Sequence, residues 1–112
     1  MSECLVVIWS SADPEVTHNM VFMYTGNAKR RGWFADVTLI IWGPSARALV
    51  GDESLQQGVR QLMDCGVRVM ACRKCAENYG VQAQMSAMGV ESIYIGETLS
   101  TFVKEGRHIL TF

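Results

Sequence analysis

Cys72 and Cys75 stand one helical turn apart in the stretch MACRKCAENYG, with Arg73 and Lys74 between them. A cysteine is a nucleophile only as its thiolate, and a helix N-terminus and adjacent cations both favour that form. Cys72 directly follows the β-rich run VRVMA and precedes a helical stretch, so it is expected at the N-cap or first turn of a helix. That is a nucleophile's environment, although most free cysteines are simply small buried residues. Cys75 lies on the same side as Cys72 and either serves as a resolving thiol or packs inward.

Other chemistries are less well supplied. Cys65 extends the pattern to C-x6-C-x2-C, but a structural zinc takes four ligands, no histidine stands nearby, and Cys65 belongs at the opposite end of the strand. Neither a metal nor a cofactor is expected. His18 falls within the first helical segment and His108 at the start of the last strand, so a Cys–His dyad is not supported. No convincing general base accompanies the thiols, and whether the chain is an enzyme stays open. Cys4 reads as a packing residue or an exposed bystander.

The elements that must position these thiols can be read from the chain. Five β-rich runs, LVVIW, VTLIIW, VRVMA, SIYI and HILTF, alternate with helical stretches. Gly32, Gly66, Gly89 and Gly106 each close a helical or polar segment before a strand. Asp13-Pro14 opens a first helix expected to run to about Arg31, with Val16, Met20 and Met23 on its inner face. Pro44-Ser45 opens a short helix, and Asp52 caps a longer one with Leu55, Val59, Leu62 and Met63 as its stripe. A stretch jointed near Gly80 carries Val81, Met85 and Met88, and Leu99, Phe102 and Val103 line the last helix. The methionines, at helical spacing with other apolar residues, read as core.

Strands joined by helical crossovers form a parallel sheet, and central strands buried on both faces read as continuous apolar runs, as VTLII does. The expected fold class is α/β, a three-layer α/β/α sandwich around a mainly parallel five-stranded sheet, in a single domain over residues 1–112. The loop after the first strand reads SSADPE, so a Rossmann glycine motif is absent. Ligands of open parallel sheets collect beyond the carboxyl ends of the strands. That rim carries Trp9, Ser10, Ser11, Asp13, Trp42, Gly43, Pro44, Cys72, Cys75 and Gly96. From it, Ser10, Ser11, Trp42, Gly43 and Gly96, together with Arg73, are the candidate ligand-binding residues. Trp9 and Trp42 are either large core residues or the walls of a pocket around Cys72.

Bulk properties narrow the function by exclusion. A formal charge of -1 gives no basic footprint for nucleic acid and no acidic bias towards disorder. No apolar run approaches the roughly 20 residues that span a bilayer. The opening residues Met1-Ser2-Glu3-Cys4 lack the basic flank of a signal peptide, so a cytoplasmic protein with reduced thiols is expected.

The runs WSSADPEVTHNMVFMYTGNAKRRGW, LIIWGPSA, GVRVMACRKCAENYGV and ILTF together resemble the DsrE-like family of small sulfur-relay proteins, in order and over nearly the whole chain. Similarity is greatest to a stand-alone subgroup. In relay members, including the TusD type, a cysteine directly after the third strand carries persulfide sulfur, eight residues before a glycine-hydrophobic pair. Cys72 with Gly80-Val81 matches that spacing, so the resemblance gives Cys72 the carrier role. Cys75 departs from the TusD pattern, which has a small residue there, and resembles the C-x-x-C form of other branches. The resemblance further implies sulfur donor and acceptor proteins as partners and a homotrimer or homohexamer. The expected function is a persulfide carrier or sulfurtransferase-like protein. The alternative is an oligomeric small-ligand-binding module, or a dithiol redox protein, without sulfur transfer.

Overall fold

The computed structural model describes residues 3–112, so Met1 and Ser2 lie outside the described residues. Strand β1 spans Cys4–Trp9, β2 Asp36–Ile41, β3 Arg68–Cys72, β4 Glu91–Ile93 and β5 His108–Thr111. All pair in parallel, in the order β4-β3-β2-β1-β5. The chain steps outward from β1 to β4, then crosses back to lay β5 beside β1. The α/β architecture with a five-stranded parallel sheet is therefore as the sequence predicts.

That reversal sorts the helices onto two faces, because crossovers of one hand place helices on opposite sides when the direction of travel changes. Helix α1 covers residues 14–30, α2 Pro44–Val50, α3 Glu53–Asp64, α4 Arg73–Tyr79, α5 Gln82–Ala87 and α6 Ile95–Lys104. Alternate strand residues point to opposite faces. Leu5, Val7, Trp9, Leu39, Ile41 and Val69 accordingly form a large core with Val21, Phe22, Leu49, Leu55, Val59, Leu62 and Met85. Val6, Ile8, Ile40, Met70 and Cys72 form a smaller one with Ile95 and Phe102 of α6. Cys72 thus faces the thinner layer.

Helix α1 departs from the expected periodicity. Its middle, Thr17–Phe22, is a π-helical turn between α-helical Pro14–Val16 and Met23–Arg30. A π-turn holds more residues per turn and carries the buried face forward. The inward residues are Thr17, Val21, Phe22, Thr25 and Ala28, while Met20 and Met23 are 47% and 55% exposed. The core reading holds for Met70 and Met85 but not for these two. In α6, Phe102 is buried and Val103 is exposed.

The helix ends follow from local chemistry. Asp13 and Asp52 cap α1 and α3 by accepting backbone N–H bonds from Glu15 and from Ser54 and Leu55. Gly80, at φ 69°, ends α4 in the left-handed conformation that glycine adopts without steric cost.

Candidate functional site

Cys72 is both the last residue of β3 and the N-cap of α4, with extended backbone at φ -67° and ψ 113°. Its Sγ accepts the backbone N–H of Cys75 at 3.5 Å, the bond an N-cap side chain normally makes. Cys72 is 4% exposed and packs among the apolar residues of the smaller core.

Cys75 is half-buried beside it, and its Sγ accepts the backbone N–H of Gly43 at 3.3 Å. Burial pushes the Cys75 thiol above its ordinary pKa; the Gly43 N–H partly offsets this, and the hydrogen bond and charge of neighbouring Cys72 add to the rise. Cys75 is therefore held as a protonated thiol at neutral pH. Gly43 makes this contact from φ 71° and ψ -139°, a conformation strained for any residue with a Cβ.

The loop that presents Gly43 is fixed from β1. Trp42 N–H donates to the Trp9 carbonyl at 3.1 Å, and the Ser45 hydroxyl bonds the carbonyls of both Trp9 and Trp42. Trp9 is fully buried, its Nε1–H shared between the Ser11 carbonyl at 2.9 Å and Thr17 Oγ1 at 3.0 Å. Trp42 is 38% exposed at the rim. The first tryptophan is core and the second is surface.

The remaining expected site residues divide. Arg73 turns its guanidinium over the Tyr94 ring, 5.3 Å from the centroid, and Lys74 is exposed. Ser10 donates its N–H and hydroxyl to the Phe112 carbonyl at 2.7 and 2.9 Å, and Ser11 Oγ accepts the Asp13 N–H. Gly96 is exposed in the first turn of α6, its carbonyl accepting from Ser100 Oγ. The structure brings Gly43 to the thiols, with Trp42 and Arg73 next in the chain to Gly43 and Cys72, but sets Ser10 and Ser11 to bonding within their own end of the sheet.

Sequence reasoning missed Tyr94 and Glu77. Tyr94 follows β4 at the carboxyl end of the sheet, and its hydroxyl donates to Glu77 Oε1 at 2.7 Å. That hydrogen bond raises the Tyr94 pKa, with burial and the Glu77 charge adding and Arg73 opposing. The run SIYI reads Tyr94 as part of the strand, whereas β4 ends at Ile93 and leaves Tyr94 at the rim. Of four surface cavities, one is lined by Arg73 with Gln82, Ser86, Val90 and Ser92, and none by Cys72 or Cys75. Among the described residues no group of three or more metal-ligating side chains converges. Nor is any helix there long and apolar enough to cross a membrane.

A DsrE/DsrF-like family model matches residues 5–112. The chain belongs to the DsrE/DsrF-like family. Its sulfur-relay-type fold is similar to that of the conserved protein of unknown function BT1422 from Bacteroides thetaiotaomicron, at 30% identity and a TM-score of 0.95 over 98% of this chain and 95% of that one. It is also similar in fold to the ychN protein from E. coli, at 18% identity and a TM-score of 0.70 over 100% of both chains. No curated protein matches the sequence.

Proposed function

We propose that this DsrE-like protein is a cytoplasmic sulfur carrier that holds persulfide sulfur on Cys72. The observation that carries the reading is the pairing at the β3–α4 junction: a cysteine at an N-cap, its sulfur facing a backbone N–H, with a second thiol kept protonated beside it. The thiolate is the form of Cys72 that both loading and release require.

In the loading step, Cys72 thiolate attacks the terminal sulfur of a donor persulfide. A new S–S bond forms on Cys72, the donor's S–S bond breaks, and the donor thiolate leaves with the bond's electron pair. Release to an acceptor thiolate is the same exchange in reverse. Cys75 adds a second outlet: its thiol passes its proton to the outer persulfide sulfur, the resulting thiolate attacks Cys72 Sγ, hydrosulfide leaves with the electron pair of the broken S–S bond, and a Cys72–Cys75 disulfide remains until an external dithiol reduces it. Family membership supports donor and acceptor proteins as partners and a homo-oligomeric state, a trimer or a hexamer. Exposed Tyr94 and Val103, 57% and 59% accessible near the thin α6 layer, suit burial by further protein.

Cys75→Ser tests the second outlet. The variant, loaded with a persulfide donor and followed by intact-mass spectrometry, is expected to hold the extra sulfur longer than the native chain. If it holds it no longer, Cys75 is a packing residue.

A further inference from the structure

On the thicker helical face, away from the thiols, α1 and α3 enclose a cleft of about 420 Å³. Two glycines let the side chains beside it pack closely against the helices. Gly26 and Gly58 lie inside helices, where glycine is unfavourable. A Cβ at Gly58 would collide with the Phe22 ring, and one at Gly26 with the Arg30 guanidinium. The glycines thus free the space into which a ring and a cation settle as cleft walls.

The π-turn Thr17–Phe22 packs against α3 and brings both His18 and Phe22 to the same cleft. The His18 Nε2 lies 3.1 Å from Ser54 Oγ, whose hydroxyl donates to Asp52 Oδ1 at 2.7 Å. With the serine proton committed to the carboxylate, Nε2–H is the donor in this contact. Arg30, Gln57 and Gln61 line the mouth of the cleft as exposed side chains, and none makes a hydrogen bond or ion pair to another described residue.

We infer that this cleft binds a small organic oxyanion, a carboxylate or phosphate head on an apolar body. A guanidinium fork matches such a head, and the two glutamine amides add donors. Met23, which is exposed, supplies the apolar wall with the edges of buried Phe22 and Leu62, and the volume suits a small metabolite rather than a macromolecule. The inference does not depend on the persulfide reading, because none of these residues touches Cys72 or Cys75.

The test is a two-dimensional amide NMR titration of the full chain with benzoate, with phenyl phosphate and with neutral benzyl alcohol. Saturable shifts at Gly26 and Gly58 are expected with an acid, together with shifts of the His18 ring protons, which line the same cleft. The arm that binds more tightly identifies the head group. Arg30→Ala should weaken that binding about tenfold or more, the loss expected for a charge-assisted bond, and Arg30→Lys should restore part of it. Absence of saturable shifts with both acids, unchanged binding by Arg30→Ala, or equal binding of benzyl alcohol would overturn the inference.

Discussion

The carboxyl-end rim of the sheet has two halves that differ in how their backbone groups are used. Beyond β1 and β5, the rim is tied shut by its own chain. Phe112 N–H donates to the Ile8 carbonyl at 2.8 Å, and the Phe112 carbonyl accepts from the Ser10 N–H, the Ser11 N–H and the Ser10 hydroxyl. Beyond β2 and β3, the backbone N–H groups of Gly43 and Cys75 point instead at sulfur. Strand order reverses at β1, so the topological rule for open α/β sheets points to the first half. The proposed chemistry lies in the second. The lesson is that a switch point is a vacancy only when nothing in the chain fills it.

Breaking the closed half should cost stability and leave the thiols alone. Trp9→Ala removes a fully buried ring and leaves Thr17 without the indole donor, so a loss of about 3–5 kcal/mol is expected in denaturant unfolding. Gly43→Ala tests the open half. A Cβ there meets nothing within 4 Å, so its cost is backbone strain at φ 71°, about 1–3 kcal/mol. If the backbone relaxes, Cys75 also loses the N–H that lowers its pKa, and its alkylation should move to higher pH.

Ser10→Ala should cost only about 1 kcal/mol, one hydrogen bond, with no change in thiol reactivity. A shift in alkylation rate on this change would break the division of the rim. The smallest effect is on rate alone. Because burial raises the Cys75 pKa, its alkylation in a Cys72→Ser background should be slow at neutral pH. It should accelerate only as the pH climbs past the ordinary thiol value of about 8.5. Full reactivity already at neutral pH would mean that Cys75 ionises readily.

Much of this arrangement was legible in the chain because it rests on local rules. VTLII is continuous because β2 is buried on both faces, and Gly32, Gly66, Gly89 and Gly106 do sit at positive φ after helical or turn segments. The place of Cys72 followed from a strand running directly into a helix. What escaped depends on contacts far apart in sequence. The π-turn moved Met20 and Met23 to the surface, a shift that a fixed 3.6-residue period does not anticipate. Ser10 and Ser11 matched the rim by position, yet their bonding is set by Phe112, over a hundred residues away. The Tyr94–Glu77 bond likewise joins the end of β4 to α4, and no spacing announces it.

The central claim is that sulfur resides on Cys72, and intact-mass spectrometry after exposure to a persulfide donor addresses it directly. The native protein is expected to gain about one sulfur atom and Cys72→Ser to gain none, with Cys75→Ser still loading. No adduct on the native chain, or an adduct that survives in Cys72→Ser, would contradict the account.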